Sequence, residues 1–186
     1  MKRGGVLARA VRALGAGLLL LAVAGAIAQN IGLARASAVK AAFLYRFGSF
    51  VEWPAGTFRA PNDPLVIGVF GDESVAIELE QLTLGRRIET HPVAVRRVRD
   101  ADDVGALHIL FVGGPRDVRA RDVLAAARGP VLTVGDASGS GRSAPVLHFT
   151  EVEGRMRFSA SLTAANGRGL KLSAKLLAVA HEVEGR

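Results

Sequence analysis

The side chains that could do chemistry in this chain are few, and their spacing argues against most reactions. Asp72 and Asp136 each follow a glycine at the end of an apolar run, and could work as paired carboxylates. Their simpler role is to cap the helix or turn that comes next. Four histidines occur, His91, His108, His148 and His181, with no pair at the four-residue spacing of a helical zinc site. His108 and His148 lie inside apolar strands, where a hydrogen-bonded, half-buried imidazole is expected; His91 and His181 read as surface residues. Gly139-Ser-Gly141-Arg-Ser-Ala144 has the G-x-G-x-x-A form of a dinucleotide fingerprint, but Pro145 and a strand follow where a helix is needed. There is no G-x-S-x-G elbow, no P-loop and no cysteine, so serine hydrolysis, nucleotide hydrolysis and thiol chemistry lack their residues. Arg96, Arg97 and Arg99 read as a solvated strand edge. The sequence predicts no enzyme, no cofactor and no metal.

The elements that would hold these residues start after a leader. Lys2, Arg3, Arg9 and Arg12 precede an apolar run from Ala13 to Ala28 that ends Ala26-Ile27-Ala28. A positive region, a short apolar region and small residues before the cut predict a secretory signal peptide over 1–28, cleaved after Ala28, with one domain over 29–186. An uncleaved anchor is the alternative, although the run is short for a membrane span. The leader holds four of the 24 basic residues and none of the 17 acidic ones, so the domain itself carries about +3. With no basic block interleaved with aromatics, nucleic acid is not an expected partner.

Six of the ten aromatic residues fall between Phe43 and Phe58. Phe43, Phe47 and Phe50 share one helical face with Val39, widened by Leu44 and Val51, so a helix is predicted from Ser37 up to Pro54. Tyr45, Ser49 and Glu52 point elsewhere. Buried strands are predicted at Leu65–Phe70, Leu107–Val112 and Val131–Val134, with a basic edge strand within Ile88–Val98. Helices fit Ser74–Leu82, Asp117–Ala127 and a tail from Leu170 or Ser173 to Val183. Val146–Val152 and Arg155–Leu162 flank Glu153-Gly154 as a hairpin. This order predicts an α/β fold: one layered domain with a largely parallel, Rossmann-like sheet, an antiparallel C-terminal hairpin and flanking helices. Ligands of such sheets bind beyond the carboxyl ends of the strands. Asp72, Gly113, Gly114 and Asp136 would gather there as a small-ligand crevice.

Lys40-Ala-Ala-Phe-Leu-Tyr-Arg-Phe-Gly-Ser-Phe-Val-Glu-Trp-Pro54 resembles the opening signature of the YfiR family of periplasmic proteins. Val66–Gly71 with Asp72, His108–Gly113, Pro130–Asp136, Gly154–Phe158 and Gly169–Leu177 follow in that family's order, so the resemblance spans about residues 38 to 180. It implies a periplasmic α/β protein without enzymatic activity. It also implies repression of an inner-membrane diguanylate cyclase through the cyclase's periplasmic sensor domain; release raises cyclic di-GMP and favours biofilm. Cysteine pairs that couple redox state to folding in some relatives are missing here, and Arg46 stands where an Asn is common. A homodimer is the expected assembly.

A protein without catalytic groups acts on a partner through differential affinity for the partner's states. Trp and Tyr are enriched at the anchors of such interfaces. Trp53 and Tyr45, with the neighbouring Arg46 and Glu52, are therefore the expected partner-binding residues. For Trp53 the alternative is a plug for the end of the sheet.

Overall fold

The computed structural model describes residues 35–114, 118–136 and 144–185. The predicted signal peptide with its cleavage after Ala28, and nearly all of the Gly139–Ala144 segment, lie outside the described residues. Ser37–Arg186 forms one compact unit.

The first helix, α1 (35–47), is shorter than its apolar pattern predicts. Gly48 and Ser49 turn the chain, with the N–H groups of Ser49 and Phe50 donating to the carbonyls of Arg46 and Phe47 at 3.0 Å each. Val51–Glu52 is then a short strand, β1, antiparallel to β9 (Lys171–Leu172). The expectation of a helix up to Pro54 is corrected on this point. Gly48 disfavours helix, and the carbonyl of Phe50 accepts from the Ser173 N–H at 2.9 Å, a tertiary partner no local pattern reveals.

β2 (Leu65–Phe70) lies third from one edge of an eight-stranded sheet with the order β10-β8-β7-β6-β5-β2-β4-β3. β4 (His91–Arg97), β5 (Ile109–Val112), β6 (Leu132–Gly135) and β7 (Leu147–Val152) run parallel to their neighbours through β2. β8 (Arg155–Ser161) is antiparallel to β7 in the predicted hairpin, and β3 (Arg87–Ile88) is antiparallel to β4. Glu153 and Gly154 take φ of 51° and 70° between β7 and β8, the left-handed pair that a two-residue hairpin turn needs. β4 is covered by two-residue β3, so it lies one strand in from the edge.

Both faces of the parallel strands are covered, which is why they read as continuous apolar runs. Leu65, Ile67, Val69, Ile109 and Phe111 pack on one side against α1 and α2 (Glu73–Thr83). On the other side Phe70, Leu110 and Val112 pack with α3 (Val118–Ala126) and the 3-10 turn Ala101–Val104. Phe43 and Phe47 of α1 meet Phe149 and Phe158 of the hairpin at centroid separations from 5.0 to 6.0 Å. The aromatic face of α1 is thus largely core, each such ring contributing roughly 1.5–3 kcal/mol of burial.

The predicted tail helix starts after Ser173 as α5 (Ala174–Val179) but ends four residues early, and Glu182–Glu184 form β10, parallel to β8; a further short helix, α4 (Leu162–Gly167), precedes β9. Ser161 and Ser173 explain the two starts, since their hydroxyl oxygens accept the N–H groups of Ala164 and Leu176 at 3.2 Å.

Candidate functional site

Two constellations stand out, one around Lys40 within α1 and one just past the helix's carboxyl end. The first is built around Lys40. Its ammonium lies 2.8 Å from Asp136 Oδ1 and 3.6 Å from Asp72 Oδ2, with the side chains of all three only 14–21% exposed. The same ammonium sits 5.8 Å from the centre of the Phe111 ring. Asp72 also caps α2, its Oδ1 accepting from the Val75 N–H at 3.1 Å. Asp136 Oδ2 accepts from the Gly114 N–H at 3.3 Å, while the buried Oδ1 has no hydrogen bond of good geometry and relies on the Lys40 charge.

Glycines let these loops meet. A Cβ on Gly71, whose φ is +77°, would come within 2.4 Å of the Gly113 carbonyl oxygen. One on Gly113 would come within 2.8 Å of the Asp72 Cβ. Asp72, Gly113, Gly114 and Asp136 are therefore neighbours at the carboxyl ends of the strands. The space between the two carboxylates is taken by Lys40, which makes the cluster an internal ion pair around one cation. Lys40 opens the stretch that resembles the family signature, but no chemical motif marks it; its place four residues before Leu44 and seven before Phe47 puts it on the apolar face. A lysine there needs buried carboxylates.

The second constellation surrounds Trp53. Trp53 and Glu52, with Gly48, Phe58, Glu89 and His91, line a slot of about 300 Å³. The Trp53 ring is half-buried, edge-on to Phe58 at 6.0 Å and to His108 at 6.4 Å. Its Nε1–H is buried without an acceptor. Phe58 stacks on His91 at 3.8 Å and on His108 at 4.4 Å, its ring nearly parallel to the latter. Nδ1 of His91 is 2.8 Å from the Asp63 carbonyl, so it carries the proton there. This half-buried, stacked residue is not the surface histidine expected from the sequence.

His108 has the opposite tautomer. Its Nδ1 accepts from the Val66 N–H at 3.1 Å, which requires an unprotonated nitrogen. Burial, then the proximity of His91, holds its pKa below the ordinary imidazole value; a hydrogen bond at the Thr57 backbone and the charge of Asp63 oppose this only in part.

Of the other expected partner residues, Tyr45 lies near the slot: its hydroxyl donates to the Arg87 carbonyl at 3.1 Å, next to Ile88 of the slot wall. Arg46 is exposed on α1, and nothing ties it to the slot. Arg97 is more engaged than a solvated edge residue: it bridges Glu73 at 2.8 Å and Glu80 across α2, which holds the Glu73 carboxyl below its usual range. Among the described residues there is no group of three or more His, Cys, Asp or Glu placed to hold a metal ion.

A family model described as YfiR/HmsC-like matches residues 37–181, most of the chain and all of both constellations. The chain belongs to the YfiR/HmsC-like family. A search of curated proteins finds no match. YfiR/HmsC-like proteins are periplasmic and non-enzymatic, and regulate diguanylate cyclase signalling in general terms. Among the described residues no helix is long and apolar enough to cross a membrane. The match begins at Ser37 and so takes in the aromatic helix by which the sequence itself resembles the family.

Proposed function

We propose that this YfiR/HmsC-like protein represses an inner-membrane diguanylate cyclase by binding the cyclase's periplasmic sensor domain through the β1 corner. Trp53 is the anchor, with Glu52 beside it in the slot, Tyr45 at its margin and Arg46 on the adjoining helix surface. The protein acts as a homodimer and reaches the periplasm through a cleaved leader. The observation that carries this reading is the Trp53 indole N–H, buried without an acceptor on a ring that is itself only half-buried. A buried unmade hydrogen bond costs about 1–3 kcal/mol. A partner carbonyl or carboxylate that takes this N–H as the ring swings out recovers that cost on binding, so Trp53 is held in a state that favours a partner.

The test is recovery of the partner from solubilised membranes by the wild type and by Trp53→Ala, with circular dichroism to confirm folding. Loss of the cyclase from the Trp53→Ala eluate, together with raised cyclic di-GMP in cells, is the expected result. Equal recovery removes Trp53 from the interface. Recovery of a metabolite and no membrane protein turns the reading toward a small-ligand-binding protein. Light scattering at micromolar concentration tests the dimer.

A further inference from the structure

The concavities at the amino ends of the strands lie opposite the Lys40 cluster. One, of about 600 Å³, is lined by Arg128 and Gly129 ahead of β6, by Ser161 at the end of β8, and by Thr163, Gly167 and Arg168 of the α4 region. Among the described residues no carboxylate lines it. Arg168 is half-buried, and its one described partner is the Ala127 carbonyl, to which Nη1 donates. Burial pushes its pKa down, the mark of a guanidinium short of counter-charge. Arg128 shares the cavity with no described partner. The Ser161 hydroxyl oxygen already accepts the Ala164 N–H, which leaves its own hydrogen to donate.

Two cations facing one cavity repel each other, and a partly desolvated cation without an anion is costly. Guanidinium forks, hydroxyl donors and small glycine walls together match the oxygen pairs of a multiply charged oxyanion. We infer that the cavity between Arg128 and Arg168 binds a doubly charged oxyanion, a phosphate group carried by a small molecule. The volume suits a small phosphorylated compound, since ligand pockets commonly span about 300–1,000 Å³. Occupancy would bridge the segment after α3 to the α4 region, tying the middle of the sheet to its antiparallel end. This is a different place from the slot at Trp53, so the two sites stand or fall separately.

Inorganic phosphate is the probe. Calorimetric titration of the purified protein through about 10 mM phosphate, against potassium chloride at matched ionic strength, is expected to give saturable binding. Amide resonances of Gly129, Thr163 and Gly167 should move with the same midpoint. Arg128→Gln removes an exposed side chain with no described partner, so the fold should stay intact while affinity falls at least about tenfold, the scale of one lost charged hydrogen bond. Arg168→Gln should weaken binding as much or more. The inference is overturned by the absence of phosphate-specific binding to the wild type, by Arg128→Gln binding as tightly as the wild type, or by acetate binding as tightly as phosphate.

Discussion

Lys40 shows how one side chain can hold three elements together. It comes from α1, Asp72 from the start of α2 and Asp136 from the end of β6, and the three meet with little solvent. Two carboxylates share one cation, so removal of the cation leaves uncompensated negative charge. Lys40→Met is expected to cost about 3 kcal/mol and to lower the thermal midpoint by roughly 10 °C, read by far-UV circular dichroism. Adding Asp136→Asn to that variant should restore part of the loss, because one of the repelling charges goes. His108 sets a different test. Its folded pKa is below its unfolded value near 6.5, so the unfolded chain takes up the proton first. Stability is complete above that unfolded value, falls as the pH drops through it, and goes on falling to the lower folded value. The urea midpoint should therefore decrease between pH 7.5 and 5, and His108→Asn should flatten the slope. Protonation at Nδ1 also removes the acceptor of the Val66 N–H, so the fluorescence of Trp53, which touches His108, should change over the same window. A urea midpoint independent of pH in the wild type would contradict the neutral assignment.

At the scale of the element, turns and caps decided how far the sequence could be read. Leu65–Phe70 is the strand its apolar run predicts, because both faces are covered and no register has to be chosen. The β7–β8 hairpin was legible for a local reason, the Glu153-Gly154 turn. That turn is imperfect: Glu153 holds φ of 51° without the ease of Asn or Gly. Glu153→Asn should raise stability by about 0.5 kcal/mol, visible as a higher urea midpoint with unchanged slope. What failed was set by distant partners. Val51 is a strand residue because Leu172 lies opposite it, and Glu182–Glu184 form β10 because Ser159 to Ser161 of β8 offer a free edge. Periodicity reads such stretches as more helix. The site shows the same division: Trp53 and Glu52 stood out by type, whereas Lys40, Phe58 and Arg168 gained meaning only from neighbours far along the chain.

For the whole molecule, the aromatic face of α1 is the joint between the two ends of the sequence. Phe47 is buried against Phe149 and Phe158, so Phe47→Ala is expected to cost about 3–5 kcal/mol. The unit Ser37–Arg186 should then still unfold in one step. Trp53 is the only tryptophan. Its fluorescence and the far-UV signal should give the same urea midpoint if the β1 corner belongs to that cooperative unit. Separate midpoints would show a corner that opens on its own. The family fixes what the molecule regulates in general; on the reading proposed above, the β1 corner would open to meet the partner while the sheet behind it stays closed.

The pairing of α1 with the last third of the chain also governs when the protein can fold. Phe43 waits for Phe149, Phe47 for Phe158, and Val51 for Leu172. Contacts of such sequence separation close slowly, because much loop entropy is lost before they form. A chain emerging from its amino end would carry its most aromatic segment exposed until the hairpin and β9 arrive. Folding is thereby postponed until the last third of the chain is available, and residues 43–58 are the stretch most exposed to wrong contacts, and most in need of a chaperone, until then.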